Sequence, residues 1–353
     1  MQAEERQLVA RLFRWGVQCL SVFTRNPAAD ADGGEGKEAI DAFAGAFTVL
    51  EPYNLRTTVG PHIPALYAAM LDDTGLLSVP QQLLANSMAT LTMADVLLTF
   101  LVAQMDDLKA QALLRASVLM RLFKLVLGSV SLFGPNETVL RPHLQTIILS
   151  CLRYTTRVNN PLNYYLLLRA LFRSIAGGKF DHSYKEILPI LPLLLTELSK
   201  LYSTAQDDLT RAILIELCLT VPVRLASLLP HLPLMLRLMV RALSAQQRGE
   251  LHGLALRTLE FWVDNLMPDY CCAVLSQDPA LQTDIMAALC SNLRPPPYPF
   301  GTIALRLVGK LGGRNRHFLP EAMALPMAPT PWNADVCLQV IGLGLGQGWC
   351  SAM

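Results

Sequence analysis

Four times along this chain a proline heads an apolar helical run: Pro61-His-Ile-Pro-Ala-Leu, Pro142-His-Leu-Gln-Thr-Ile, Pro189-Ile-Leu-Pro-Leu-Leu and Pro230-His-Leu-Pro-Leu-Met. The intervals are 81, 47 and 41 residues, and the first is close to twice 40. A copy without its proline is expected near residue 101, inside the helical run 91–105. Proline suits a first helical turn, because its missing N–H would have no intrahelical partner there. A second series, Arg115, Arg169, Arg211, Arg257 and Arg306, enters other apolar helical runs at intervals of 54, 42, 46 and 49 residues. Two registers offset by about one helix and turn require a two-helix unit repeated every 40 to 50 residues.

That period is the one expected of HEAT and armadillo arrays, about 40–47 residues. The reading is therefore an all-α chain folded as a HEAT/armadillo-like helical-repeat solenoid. Strand signals are almost absent, with no sustained alternation and no Asn-Gly or Asp-Gly hairpin turn. Periodicity predicts helices over 3–23, 37–50, 62–71, 91–105, 114–130, 138–155, 162–176, 183–202, 208–219, 231–243, 251–266, 280–293 and 301–311. The solenoid is expected over residues 1–325, interrupted by a polar, Gly-rich loop at about 26–36 that should be mobile. Residues 326–353 lose helical periodicity and receive no fold.

Composition follows from such a repeat. Of the 353 residues 68 are leucine, 52% are hydrophobic and only 16% are charged. A helix sandwiched between neighbours needs apolar residues on more than one side. Lys+Arg 29 against Asp+Glu 28 leaves a net charge of +1, which excludes a highly charged disordered chain and argues against phosphate neutralisation as the main task. A membrane-spanning helix needs about 20 mostly apolar residues. The runs 96–105, 125–133 and 187–196 are too short, and 74–94 holds Gln81, Gln82, Asn86 and Ser87. Glu4 and Glu5 stand where a secretory signal would carry positive charge, so the chain is expected to be neither membrane-spanning nor secreted. The eight cysteines show no CxxC spacing and lie mostly in apolar helical patterns, as reduced thiols do.

Each candidate for chemistry has a plainer reading. Gly342-Leu-Gly344-Leu-Gly346-Gln-Gly348 neither follows a strand nor opens a βαβ unit, so it is not read as a dinucleotide loop. In Gly309-Lys-Leu-Gly-Gly-Arg-Asn-Arg316 the lysine precedes the glycine pair and no Ser or Thr follows; a helix ending near Leu311 with a glycine cap fits better than a phosphate loop. His62, His143 and His231 share one slot after the marker proline, which suggests a repeat role rather than a metal site. Of the acidic doublets Asp72-Asp73, Asp106-Asp107 and Asp207-Asp208, the last is placed to cap the helix 208–219. No catalytic, cofactor-binding or metal-binding set is expected. What remains is a possible partner-binding basic patch: Arg306, Lys310, Arg314 and Arg316, with His317 beside them. No basic stripe with interleaved aromatics extends from it, so direct nucleic-acid contact is not expected.

Several strings then follow one another in order: FKLVLGSVSLF at 123–133, NYYLLLRALFRSI at 163–175, ELCLTVPVRL at 216–225 with SLLP at 227–230, LRTLE at 256–260 with VDNL at 263–266, and VGKLGGRNR at 308–316. Together they resemble the N-terminal helical solenoid of the transformation/transcription domain-associated protein family, very large pseudokinase scaffolds of the phosphatidylinositol-3-kinase-related class. The resemblance runs from about residue 40 to 325. It implies a HEAT-repeat fold, a nuclear location and a non-enzymatic scaffold role in histone acetyltransferase coactivator complexes, both of the SAGA type and of the type that acetylates nucleosomal histones. It implies transcription activators and other subunits as protein partners, with no membrane and no small-molecule substrate. Apart from the resemblance, a HEAT adaptor in nuclear transport or trafficking stands as the alternative.

Overall fold

The computed structural model describes residues 1–24, 35–109, 113–176, 180–244, 249–293 and 298–312, and the pairs 323–324 and 339–340. The helices are α1 (Ala3–Thr24), α2 (Glu35–Phe47), α3 (Pro52–Thr58), α4 (Ile63–Asp72), α5 (Ser78–Ala85), α6 (Thr90–Ala103), α7 (Leu113–Leu132), α8 (Glu137–Leu140), α9 (Leu144–Thr155) and α10 (Leu162–Ile175). They continue as α11 (Asp181–Ile187), α12 (Leu191–Thr204), α13 (Asp208–Leu219), α14 (Leu225–Leu228), α15 (Leu232–Ser244), α16 (Glu250–Asn265), α17 (Pro268–Ser276), α18 (Pro279–Ser291) and α19 (Gly301–Gly312). Met323–Ala324 and Gln339–Val340 form a two-residue antiparallel bridge, a small exception to the all-α expectation. Most of the loop at 26–36 lies outside the described residues, α2 taking its last two positions, and so does the tail 326–353 apart from 339–340.

The chain divides into two compact units, Met1–Glu197 and Leu198–Met353. In the first unit α2, α5, α7 and α10 pack in succession as one layer, while α1, α3 with α4, α6, α8 with α9, and α11 form the other. In the second unit α13, α16 and α19 make one layer, and α15 with α17 and α18 the other. Helices alternate between layers in strict chain order, which is the two-helix repeat expected from the sequence. Arg115 and Arg169 fall on the layer of α7 and α10 in the first unit, and Arg211, Arg257 and Arg306 on the layer of α13, α16 and α19 in the second.

Within each unit the marker prolines belong to the other layer, and they correct the sequence reading in one respect. Each is the middle residue of a three-residue 3-10 turn (Gly60–His62, Arg141–His143, Leu188–Ile190, Leu229–His231) that joins a short helix to a longer one. The runs expected as single helices over 138–155 and 183–202 are therefore broken at Pro142 and Pro189. Proline removes one backbone donor and its ring crowds the preceding turn, so the ladder tightens and bends. The residue leaving each turn, Ile63, Leu144, Leu191 or Leu232, is buried, at about 2 kcal/mol of apolar transfer apiece. His62, His143 and His231 close their turns half-buried. The proline-less copy is α6, which is entered by an Asx turn instead: the Asn86 side chain accepts from the Met88 N–H at 2.9 Å.

Four helices escaped the periodicity: α3, α5, α14 and α17. All are nine residues or shorter, too short to show a period. One described stretch, Leu225–Ser244, does reach the length and apolarity of a membrane span. It is two helices separated by the Pro230 turn, and α15 packs against α13, α16 and α18.

Polar ties recur at the repeat distance. Gln82 Nε2 donates to Asp41 Oδ1 at 3.1 Å, Gln145 Nε2 to the Glu186 carbonyl at 2.9 Å, Arg237 to Asp278 at 2.6 Å and Tyr270 OH to the Leu229 carbonyl at 3.0 Å. Each spans 41 residues. The Glu137 carboxylate accepts from Ser183 N–H (2.8 Å) and hydroxyl (2.9 Å), so α8 caps the first turn of α11.

Two outcomes follow. Leu256 is fully buried on α16, so Leu256→Asp should cost on the order of 4 kcal/mol in chemical denaturation and reduce helical circular dichroism. Asp278 caps α18 by accepting from Leu281 N–H and pairs with Arg237 of α15. The Arg237 hydrogen bond, then that of Leu281, holds its carboxyl below the usual carboxylate range. A lowered folded pKa contributes stability that is complete above the ordinary aspartate value of about 3.9 and lost as pH falls through the folded one. The melting-temperature gap between wild type and Asp278→Ala should be full at neutral pH and close on acidification below about pH 4.

Candidate functional site

Among the described residues, one organised apolar surface left open is a face of α1. An α-helix advances about 100° per residue. Phe13, Val17 and Leu20 fall on one side and are buried against the second layer and the next repeat. Leu8, Leu12, Trp15, Cys19 and Val22, spaced 4, 3, 4 and 3 residues apart, lie within an arc of about 80° on the other side. All five are exposed: 56% for Leu8, 50% for Leu12, 52% for Trp15 and 70% for Val22. The alternation of four and three is the spacing of a helix–helix seam.

What orients this face is the crossing of α1 over α2. Phe13 stacks among Phe43 and Phe47, with ring centroids 5.6 and 5.0 Å away. A Cβ at Gly16 would stand 2.1 Å from the Phe43 ring, so only glycine allows the helices to approach there. The helix is thereby fixed with its second apolar stripe outward.

Of the basic residues singled out by sequence, Arg306 and Lys310 lie on α19, whereas Arg314, Arg316 and His317 lie outside the described residues. Lys310 Nζ reaches Asp264 at 2.8 Å and Glu260 at 3.2 Å, and Arg306 Nε lies 3.5 Å from Glu260. Both acids are on α16. The Lys310 ammonium is held above its usual range, first by the hydrogen bond to Asp264. These two cations tie successive helices of one layer, and Arg306 keeps much of its side chain in solvent.

The other candidates resolve into local structure. Asp207 caps α13 by accepting from Thr210 N–H at 2.7 Å, which lowers its carboxyl pKa, while Asp208 pairs with Arg211 at 3.4 Å. Asp106 pairs with Lys109 at 2.5 Å, Asp107 lies 3.7 Å from Arg115, and Asp73 caps the turn at Gly75. His252 is buried, its Nε2 2.8 Å from the Leu243 carbonyl, and stacks on Phe300. Burial pushes the Cys218 thiol up to about 12, and that of Cys151 higher still. The side chains of Cys271 and Cys272 and the glycine run 342–348 are outside the described residues. Gly309 and Lys310 sit inside α19, which runs to Gly312, so no phosphate-cradling loop forms at that point. Among the described residues no group of three or more His, Cys, Asp or Glu could hold a metal ion.

Alternating helices in two layers, a period near 41 residues and an open helical seam define a HEAT-repeat protein. A family model described as the Tra1 HEAT repeat central region matches residues 1–296. The chain is 36% identical over 338 residues to the transformation/transcription domain-associated proteins of Homo sapiens and Danio rerio, covering 92% of this chain and 9% of each relative. It is 40% identical over 288 residues to the SAGA complex/NuA4 acetyltransferase complex subunit TRA1 of Saccharomyces cerevisiae, covering 81% of this chain and 8% of that protein. The chain belongs to the Tra1/transformation–transcription domain-associated protein family. It spans less than a tenth of the length of these relatives.

The periodicity of α1 was legible, but its second apolar stripe was not recognised as an open surface. The 4-3-4-3 spacing of Leu8 to Val22 was the available signal. In the double variant Leu12→Glu with Trp15→Glu, binding of an apolar fluorescent dye should fall markedly. Stability should stay within about 0.5 kcal/mol per substitution, as expected for exposed positions, with unchanged helical circular dichroism.

Proposed function

We propose that this chain acts as a non-enzymatic scaffold segment in nuclear acetyltransferase coactivator complexes of the SAGA and NuA4 kind, holding other subunits and transcription activators by protein–protein contact. Relatives in budding and fission yeast carry the name of subunits of those complexes, and the family covers nearly the whole chain. The structural observation that carries the reading is the α1 seam. An apolar stripe with seam spacing on a rigid helix is a surface suited to an apolar helical partner, whether a further repeat of a longer chain or a neighbouring subunit. Arg306 keeps much of its side chain in solvent and, with Lys310 beside it and Arg314 and Arg316 close to it in sequence, adds basic charge suited to an acidic neighbour.

The tagged 353-residue chain, recovered from nuclear extract, should bring down acetyltransferase-complex subunits, and the Leu12→Glu, Trp15→Glu variant should recover several-fold less. Recovery of transport receptors with no acetyltransferase subunit would overturn the proposal in favour of a transport adaptor.

A further inference from the structure

The first unit holds a cleft of about 390 Å³ between α7 and α10, large enough for a few side chains of a ligand. Its walls carry Lys124 from α7 and Arg169 and Arg173 from α10, and its lining includes no carboxylate. Arg169 and Arg173 are one turn apart, about 6 Å along the helix axis. Leu127 and Leu166 supply an apolar floor. The cleft exists because the facing residues are small. Where a Cβ of Gly128 would stand there is no heavy atom within 4 Å, and the Ser131 hydroxyl donates to the Ser174 carbonyl at 2.8 Å, pinning the two helices beside the opening. Both arginines also make contacts within the chain, whereas among the described residues Lys124 makes no hydrogen bond or ion pair.

We propose that this cleft docks an acidic segment of a partner protein, with carboxylates against Lys124 and Arg173 and an apolar side chain on Leu127 and Leu166 beside Gly128. The inference rests on the scaffold reading and names for it one site and the chemistry of the segment that fills it. Charge complementarity favours an anionic ligand. The apolar floor and the absence of any aromatic residue in the lining favour a peptide over single-stranded nucleic acid, whose bases would need a stacking platform.

The test is fluorescence anisotropy with the complete 353-residue chain and a labelled peptide in which Asp and Glu alternate with Leu and Phe. The wild type should bind, and raising the salt through the physiological range should weaken binding about fivefold. Lys124→Glu should weaken it about tenfold while Lys124→Arg retains it. Gly128→Leu fills the space without meeting a neighbour, so it should remove binding with helicity and melting temperature unchanged or raised. Undiminished binding in Lys124→Glu and Gly128→Leu would overturn the proposal, as would equal binding of the Asn/Gln version of the peptide. Equal binding of a single-stranded oligonucleotide, lost in the same variants, would overturn it in favour of a polyanion site. Absence of peptide binding alongside intact recovery of acetyltransferase subunits overturns the cleft alone; the reverse result overturns the scaffold reading alone.

Discussion

No helix pair in this chain can bury its own apolar surface; each is completed by the pair that follows it. The packing of α2 on α5, α5 on α7 and α7 on α10, and of α13 on α16 and α16 on α19, is the interaction on which everything else depends. It explains why Tyr165 and Leu167 are both buried on α10 although they lie about 160° apart around the helix. It also explains the polar chemistry. Once apolar contact sets the repeat distance, side chains at equivalent places on neighbouring repeats meet, and hydrogen bonds separated by 41 residues recur at Asp41–Gln82, Gln145–Glu186, Leu229–Tyr270 and Arg237–Asp278. Those pairs do not create the stack. Most are exposed and individually weak, and their common spacing records a register that leucine packing has already imposed.

The same dependence decides what was legible in the sequence. Markers that serve the repeat geometry were visible: the prolines because a bend is needed in one layer of each unit, and the arginines because each lies on a helix of the other layer. The missing copy expected near residue 101 is α6, whose entry is turned by Asn86 rather than by proline. The bend itself was not visible, because apolar periodicity runs straight through Pro142 and Pro189 and hides the 3-10 turn. Short elements were lost for a related reason. α3, α5, α14 and α17 take their stability from neighbours rather than from their own amphipathic pattern, so they leave little trace in a local reading.

The surface was harder to read than the fold, for two different reasons. Lys310 and Arg306 looked like members of a patch, yet the repeat brings Glu260 and Asp264 of α16 within reach of them, some 50 residues earlier in the chain. A neighbour at that separation cannot be inferred from adjacent residues. The α1 stripe was hidden for the opposite reason. In a chain where most helices are apolar on two sides, a second apolar face looks like core, and only the packing shows that Leu8, Leu12 and Trp15 are left exposed by the described residues.

Residue size, more than charge, separates the open surfaces from the closed ones. Gly16 lets Phe43 come so close that α1 is locked onto α2, and the stripe on the far side is turned outward as a consequence. Gly128 has the opposite surroundings: no side chain fills the space it leaves, so α7 and α10 stay in contact at Ser131 and Ser174 while a cleft opens beside them. One glycine is spent on close approach and the other on vacancy. Since glycine in a helix costs about 0.5–1 kcal/mol relative to alanine, the first is offset by the aromatic cluster around Phe13, whereas no contact among the described residues offsets the second. A helical position that carries this cost without a packing return is where contact from outside the chain has most to contribute.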